Sequence, residues 1–492
     1  MSLNETALSS TPKKRIYAFS VLLGIVFFAL IFYLRNTLQD FSLPFAYVFI
    51  GIILISLISG RIESMILILL IITSTVFEIL EFPSIPIMIG DVYFSDVLIF
   101  LLLIGRLLKR VTVEVTIIPK PMGYPIIAYI LVGIFAFLYS TIGFQVSTTT
   151  AGVELRAIFH MSLFFLVMYY IRNDRQLRSL LLGVGVISSV VSVLLLIQYI
   201  MGSGTSFVSG RVEILSTTEG KFEDITRVLV PGTSIIIFSL NTLVAIYILK
   251  GMKRRWRNLI ILGIAVLSMG LILTFTRVYW AMVFGAIMLL ILFARRELSV
   301  YPRATFLTAC AAVTVVLILQ ASVLNSSVIK EAVLNRTMSM LRVPKNFQHD
   351  TLFMRYLESR YAWERVKENP LLGLGLGKSY RPLIFRGADY ENTVGGTYLH
   401  NGFLTTQMKM GIAGTCTFFW LIGTFFFRVL KRWRRIRDPL YKAVVLGIAV
   451  SIASMLLHNL MASPFMTLFW VSVAAIGIGV VEKIYQFEDV ES

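Results

Sequence analysis

Five side chains that could do chemistry lie where apolar segments of the chain begin or end. They are four arginines and one histidine: Arg156, Arg227, Arg277, Arg355 and His400. A guanidinium group stays charged and binds phosphate through two parallel hydrogen bonds. An imidazole beside it can accept a proton near neutral pH. Together these groups suit a lipid headgroup that carries phosphate.

Three further residues are candidates for binding the same anion or its attached group. Arg211 shares the polar loop 202–228 with Arg227, Arg360 is an alternative to Arg355, and Asn401 follows His400. Each single residue also has a structural interpretation, because arginines at a membrane surface often act as anchors and lone histidines are often structural. Acidic residues in the outer loops are dispersed, so the sequence predicts neither a metal site nor a cofactor.

The composition shows that membrane helices must position these residues. Hydrophobic residues make up 57% of the 492 and charged residues only 15%, with a mean hydropathy of +0.82. A soluble protein is nearer to about 45–50% apolar and about 25% charged, which excludes a soluble enzyme or a disordered chain. Continuous apolar runs exclude a membrane β-barrel. The net charge is +18, and most of the lysines and arginines lie between these runs. This placement is typical of residues that set membrane topology and contact membrane lipids, so it does not indicate nucleic-acid binding.

The apolar runs predict an all-α polytopic membrane protein with about fourteen transmembrane helices, since a run of ~20 residues spans the bilayer core. The predicted spans are 16–34, 44–60, 62–80, 93–109, 122–141, 156–171, 176–201, 229–250, 256–274, 277–294, 303–324, 399–429, 440–461 and 464–483. A twelve-span alternative merges or demotes the most closely spaced of these. Lysine and arginine alternate between successive loops, which predicts a multi-pass protein with both termini in the cytoplasm.

The predicted spans divide the chain into three parts. Helices 1–11 occupy residues 1–324, a large extracytoplasmic loop occupies 325–398, and helices 12–14 with a cytoplasmic C-terminus occupy 399–492. The loop is longer than a connection requires, which indicates a function. Apolar residues at helical spacing predict an amphipathic helix over 351–369. The glycines of GLGLG, directly after it, predict a tight turn rather than a nucleotide-binding loop.

Three segments resemble the superfamily of O-antigen ligases and Wzy-type O-antigen polymerases. They are the helix pair SMGLILTFTRVYWAMVFGAIMLL, the loop segment MRYLESRYAWERVKENPLLGLGLG and the helix start YLHNGFLTTQMKMGIAGT. By this resemblance, Arg277 matches the hairpin arginine of the family, Arg355 its loop arginine and His400 its essential histidine. The chain departs from the family at Val278, where glycine is usual, and at Ser359, where tryptophan is frequent.

The resemblance implies a GT-C-like architecture and a metal-independent, inverting glycosyl transfer at the outer face of the bacterial cytoplasmic (inner) membrane. The implied donor is a glycan on undecaprenyl diphosphate, and the acceptor is a hydroxyl group of a glycan or of another lipid-linked molecule. The chain would then be a polymerase or a ligase of O-antigen, lipopolysaccharide or another surface polysaccharide. A flippase and a chain-length regulator are its expected partners.

A flippase or transporter of the same lipid-linked oligosaccharide is the alternative function. Transporters place polar groups near the middle of the membrane, on broken helices related by a repeat. In this sequence the candidate polar groups collect at one face, and no internal repeat is visible, so the sequence favours glycosyl transfer.

Overall fold

The computed structural model describes part of the chain, and every described residue belongs to one unit spanning residues 56–492. The described residues are 118–204, 208, 210–217, 220–249, 254–294, 351–381 and 396–488, with shorter stretches between 66 and 104. The predicted spans 16–34, 44–60 and 303–324 lie outside these residues, as do nearly all of 62–80 and part of 93–109.

The described chain is mainly helical, with two small antiparallel hairpins. Its strands are β1 Ile85–Ile87, β2 Gly90–Val92, β3 Arg211–Thr217 and β4 Gly220–Leu229. Its helices are α1 Gly123–Leu138, α2 Thr148–Phe159, α3 Leu163–Tyr170, α4 Asp174–Met201, α5 Thr233–Leu249, α6 Arg254–Leu273, α7 Arg277–Ala294, α8 Thr351–Glu368, α9 Gly402–Arg432, α10 Pro439–His458 and α11 Leu468–Phe487.

Eight helical segments of the described chain are long and apolar enough to cross a membrane, and α5 is apolar but shorter. Each predicted span between residues 122 and 294, and each one after 399, coincides with a helix. A polytopic, mainly helical protein is therefore confirmed, whereas the total of fourteen spans and the GT-C-like arrangement remain predictions. The span predicted at 156–171 corresponds to the longer segment Thr148–Tyr170. Here a 3₁₀ turn at His160–Ser162 joins α2 to α3 into one continuous helical segment.

A tight turn separates α6 from α7 and places Arg277 at the first position of α7. Phe275 in this turn has a positive φ of 46°, which is uncommon for a residue other than glycine. The Thr274 hydroxyl donates to the carbonyl of Leu271 at 2.7 Å and accepts the N–H of Thr276 at 3.3 Å. These local hydrogen bonds satisfy backbone groups that the two helix ends leave open.

The predicted amphipathic helix is confirmed as α8, which packs against α9 through a buried apolar cluster. The buried members of this cluster are Ala362, Val366, Leu374, Tyr380, Leu399 and Met408. They come from α8, from the glycine-rich segment after it, and from both sides of the start of α9. The packing therefore holds α8 beside the residues that precede α9.

The glycine-rich segment lies against a kink in α9. Gly411 has non-helical dihedral angles, with φ of 61°, and a Cβ there would lie 2.0 Å from the carbonyl oxygen of Leu371. Leu374 and Gly375 donate their N–H groups to the carbonyls of Met408 and Lys409, at 2.7 and 3.0 Å. The segment thus supplies hydrogen bonds that the broken helix has lost. The predicted tight turn is confirmed by positive φ angles at Gly373, Gly375 and Gly377.

Candidate functional site

Helix α8 brings a buried carboxylate to His400, which lies just before α9. The Glu358 side chain is 3% exposed, and its Oε2 lies 2.8 Å from Nδ1 of His400. The same oxygen accepts the backbone N–H of His400 at 3.4 Å. The other oxygen, Oε1, accepts a hydrogen bond from Nη1 of Arg381 at 3.1 Å. Donors therefore satisfy both oxygens of this carboxylate.

His400 keeps one ring nitrogen available. Its side chain is 24% exposed, and among the described residues Nε2 has no hydrogen-bond partner. Because Glu358 accepts at Nδ1, the neutral ring carries its proton on Nδ1 and a lone pair on Nε2. The Tyr398 ring packs edge-to-face against the imidazole, with 4.9 Å between centroids. These contacts fix the ring with Nε2 directed away from the carboxylate.

Arg355 lies one turn before Glu358 on α8 and faces the same side of the helix. Its Nη1 donates to Sδ of Met461 at 3.5 Å. Burial raises the pKa of the Tyr398 phenol, and the charge of Arg355 opposes that rise. In the described part of the chain, no carboxylate pairs with this guanidinium. The five residues Arg355, Glu358, Arg381, Tyr398 and His400 are called the His400 cluster below.

The start of α7 approaches the same region through His458, the last residue of α10. Tyr279, two residues after Arg277, packs against the His458 ring with 5.6 Å between centroids. Arg355 acts electrostatically on His458 as well. Arg277 and Arg355 thus lie on two helices, α7 and α8, that both approach His458.

Arg227 supports the turn before Arg277. Its guanidinium contacts the Thr274 carbonyl at 3.3 Å and the Thr276 hydroxyl at 3.4 Å. It also pairs with Glu213 at 3.0 Å. Burial lowers the pKa of Arg227, and the Glu213 carboxylate opposes that shift.

Glu213 also forms an ion pair with the exposed Arg211, with Oε2 2.5 Å from Nε. The two arginines predicted to bind substrate, Arg211 and Arg227, therefore share the carboxylate of Glu213 in the β3–β4 hairpin. A role of these two arginines in binding substrate remains a prediction.

Arg156 belongs to a different group of residues, here called the Asp96 cluster: Asp96, Arg156, His160 and Ser472. Its Nε lies 2.8 Å from Oδ2 of Asp96, and His160 lies 3.1 Å from Oδ1 of the same carboxylate. The other ring nitrogen of His160 lies 2.9 Å from the Ser472 hydroxyl. The carboxylate partner was not anticipated from the sequence, and it offsets the positive charge of Arg156.

The two remaining candidates have local partners. Arg360 is largely exposed, with Nε 3.7 Å from Oε1 of Glu364, so it lies on a different face of α8 from the buried Glu358. Asn401 is the N-cap of α9, and its Oδ1 accepts the N–H of Leu404 at 3.1 Å. Asn401 adjoins His400 in the chain, whereas Arg360 points to solvent.

Sequence reasoning missed two acidic residues that organise this region. One is Glu358; the other is Glu154, which pairs with the buried Lys409 and accepts the N–H of Gly377 at 2.8 Å. A lysine within an apolar span is the signal that predicts a buried partner, because an isolated charge there is costly. The sequence gives a weaker signal for Glu358. It lies one turn from Arg355 on an amphipathic helix, so it could be expected near the site but not buried beside His400.

The His400 cluster combines the groups needed to accept a proton and to bind an anion. Nε2 of His400 can take a proton, Glu358 can stabilise the imidazolium ion that results, and Arg355 can face a negative charge. Among the residues that the structure describes, no group of three or more His, Cys, Asp or Glu side chains could hold a metal ion.

Comparison with known proteins gives one family. Residues 262–419 match the family model described as O-antigen ligase. No curated protein matches the chain. The matched range contains most of α6, all of α7 and α8, and the first half of α9, so Arg277, Arg355, Glu358 and His400 all lie within it.

Proposed function

We propose that this chain, which belongs to the O-antigen ligase family, is a glycosyltransferase of the bacterial cytoplasmic membrane. It transfers a glycan from undecaprenyl diphosphate to an acceptor hydroxyl at the outer face. The observation that carries the proposal is that Nε2 of His400 has no hydrogen-bond partner among the described residues, while Nδ1 of the same ring is oriented by Glu358, on the helix that also carries Arg355.

The reaction forms one glycosidic bond and breaks one bond to phosphate. The acceptor hydroxyl attacks the anomeric carbon, and its proton passes to Nε2 of His400. The bond between the anomeric carbon and the diphosphate oxygen breaks, and the lipid diphosphate leaves with the electron pair. Attack opposite to the leaving group inverts the anomeric configuration. The donor is already activated by its diphosphate, so the transfer consumes no nucleotide at this face of the membrane.

Arginine supplies the charge stabilisation that the departing diphosphate requires. Arg355 and Arg277 are the proposed ligands, with Arg227 behind the turn that carries Arg277. One positioned donor at a developing anion contributes about 3–4 kcal/mol to transition-state stabilisation. His400 as general base contributes about 10²- to 10⁴-fold. The two effects together amount to about 10⁴- to 10⁷-fold, which reaches the lower end of the rate enhancements that enzymes achieve.

The acceptor decides between the two activities of the family. A polymerase adds the glycan to another lipid-linked glycan, whereas a ligase adds it to a different envelope molecule. A flippase that delivers the donor and a chain-length regulator are the partners proposed for either activity. The proposed orientation has both termini in the cytoplasm and the His400 cluster at the outer face.

The test uses full-length protein in proteoliposomes with a short polyprenyl-diphosphate oligosaccharide, in the presence of a chelator. Product is measured by mass spectrometry, with and without a bacterial envelope extract as acceptor. His400→Ala and Arg277→Ala should each lower the rate of product formation by at least about 10²-fold, while the matched control Arg254→Ala, at the first residue of α6, should retain it.

Product formed without the extract identifies a polymerase, and product that requires the extract identifies a ligase. Full turnover in both the His400 and Arg277 variants would overturn the proposal. Translocation of intact lipid-linked oligosaccharide without any new glycosidic bond would instead establish the transporter alternative.

A further inference from the structure

We infer that Glu358 is a positioning residue, which orients His400 and sets which ring nitrogen faces the acceptor. The inference rests on the proposed function, because it assigns a role in the same proton transfer. Glu358 does not touch the reacting atoms; it acts through the imidazole.

The hydrogen bonds around Glu358 leave it little freedom to move. Oε2 faces Nδ1 and the backbone N–H of His400, at 2.8 and 3.4 Å, and Oε1 faces Nη1 of Arg381 at 3.1 Å. The side chains of Glu358 and Arg381 are only 3% and 9% exposed. A buried carboxylate is costly unless donors satisfy it, and here all of its neighbours named above are donors.

This geometry selects the reactive form of His400. A hydrogen bond from Nδ1–H to Glu358 leaves the lone pair on Nε2, which is the nitrogen that no described residue occupies. When Nε2 takes the acceptor proton, the imidazole becomes positive, and the carboxylate stabilises that charge at 2.8 Å. Glu358 therefore favours both the starting tautomer and the product of the proton transfer.

A glutamine at this position could not replace the carboxylate. Its amide has one oxygen and one NH₂ group, whereas the site presents donors on both sides. If the oxygen accepts from Arg381, the NH₂ group faces Nδ1–H of His400, and the ring must flip or change tautomer. If the oxygen accepts from His400, the NH₂ group faces Arg381. Either arrangement leaves a buried donor without an acceptor.

Helix α8 also sets how far Arg355 lies from His400, because it carries both Arg355 and the glutamate that holds His400. Arg355 and Glu358 are three residues apart, which places them about 4.5 Å apart along the helix axis. The apolar cluster that holds α8 against α9 fixes this spacing relative to His400. One rigid helix thus coordinates proton removal from the acceptor with charge stabilisation on the departing diphosphate.

The test measures kcat and KM of Glu358→Gln, Glu358→Asp and the matched control Glu364→Gln in the proteoliposome assay. Glu364 is an exposed carboxylate on the same helix that pairs with Arg360. Glu358→Gln should lower kcat by between about 10²- and 10⁴-fold, since loss of the carboxylate that orients a histidine base lowers kcat by up to about 10⁴-fold in serine proteases. KM should change less than twofold. Glu358→Asp should recover part of the loss, and Glu364→Gln should match the parent protein.

A double variant separates this role from an independent one. If Glu358 acts through His400, Glu358→Gln combined with His400→Ala should be no slower than His400→Ala alone. A further large loss in the double variant would overturn the inference, as would a kcat of Glu358→Gln equal to that of Glu364→Gln.

The outcomes also distinguish this inference from the proposed function. Full activity of both His400→Ala and Arg277→Ala contradicts the proposed function itself, whereas a strongly slowed His400→Ala with a fully active Glu358→Gln contradicts only the role of Glu358. If Glu358→Gln does not accumulate in membranes, Arg381→Gln replaces it as the test, because it removes the guanidinium that donates to Oε1 of Glu358. It should lower kcat with little change in KM, and an unchanged kcat would count against the inference.

Discussion

Two histidines of the described part of the chain pair with a carboxylate, and the two pairs differ in what surrounds the ring. His160 lies 3.1 Å from Asp96, and His400 lies 2.8 Å from Glu358. The His160 side chain is fully buried, and both of its ring nitrogens have partners. The His400 side chain is 24% exposed, with Nε2 left without a partner among the described residues.

By residue type alone, the Asp96 cluster resembles the better catalytic site. It aligns a serine, a histidine and an aspartate in one chain of hydrogen bonds, as hydrolases do. Yet Ser472 is fully buried, its hydroxyl also contacts the Leu468 carbonyl at 2.7 Å, and Arg156 shares the carboxylate. A substrate cannot reach such a serine. The difference teaches that an accessible, unoccupied nitrogen identifies a base better than the residue types around it.

The arginines repeat this contrast. Arg156 and Arg428 are each paired with a carboxylate, and Arg428 binds Glu482 through two nitrogens at 2.7 and 2.5 Å in a buried site. Arg355 pairs with no carboxylate of the described chain. An arginine already neutralised by a carboxylate has less attraction for a phosphate group. Arg355 therefore retains more of its charge for a ligand.

The largest expected effect separates the two histidines. His400→Gln should lower kcat by about 10²- to 10⁴-fold and leave the thermal unfolding midpoint unchanged, because glutamine cannot accept the proton. His160→Gln should instead destabilise the protein by about 1–3 kcal/mol, because Asp96 and Ser472 lose a buried partner. Turnover in proteoliposomes and unfolding in detergent measure the two quantities separately.

The contrast between the two histidines is wrong if His160→Gln lowers kcat and His400→Gln lowers stability. A stable His160→Gln protein with no transferase activity would place the chemistry in the Asp96 cluster. A destabilised but active His400→Gln protein would make the His400 cluster structural.

The second prediction sharpens the comparison at the arginines. Arg355→Gln should lower kcat by about 10²- to 10³-fold, because in the proposed reaction the departing diphosphate loses a positioned cation. Arg156→Gln should leave Asp96 with His160 alone and lower stability by about 1–3 kcal/mol, with turnover nearly unchanged in the protein that folds. Turnover and the unfolding midpoint are measured as above. If Arg156→Gln reduces turnover as strongly as Arg355→Gln, Arg156 also serves the substrate.

The sequence predicted the helices well because membrane spans depend on local composition. The ends of α4, α7 and α10 fall within a few residues of the predicted spans 176–201, 277–294 and 440–461. Amphipathic spacing likewise located α8, since one face of that helix must be buried. These features depend on short stretches of chain, which the hydropathy pattern describes directly.

Partnership between distant residues could not be predicted in the same way. Glu358 lies 42 positions before His400, and Asp96 lies 60 before Arg156, so no local pattern joins either pair. The site histidine and arginines were identified from motifs, whereas their carboxylate partners depend on how α8 and α2 pack. The break in α9 also escaped prediction, because the run 399–429 is apolar enough overall to be assigned to a single span.

The last prediction uses that break to test how the His400 cluster is positioned. Gly411→Ala should destabilise the protein by about 1–3 kcal/mol, because the position has a positive φ and the added carbon would lie 2.0 Å from the Leu371 carbonyl oxygen. Gly423→Ala, in the same helix with no atom within 4 Å of the added carbon, should be neutral or stabilise by up to about 1 kcal/mol. The unfolding midpoint and kcat of both variants are measured together.

The expected pattern is a loss of kcat in Gly411→Ala that exceeds its loss of folded protein. The segment 370–377 lies between α8 and α9, so a shift there moves Glu358 and Arg355 relative to His400. The Asp96 cluster should depend less on Gly411, because Arg156 and His160 lie on α2 and the 3₁₀ turn after it, and Ser472 lies on α11. The segment 370–377 meets α2 through the hydrogen bond from Gly377 to Glu154. Equal effects of Gly411→Ala and Gly423→Ala on kcat would show that α8 keeps its position without this segment.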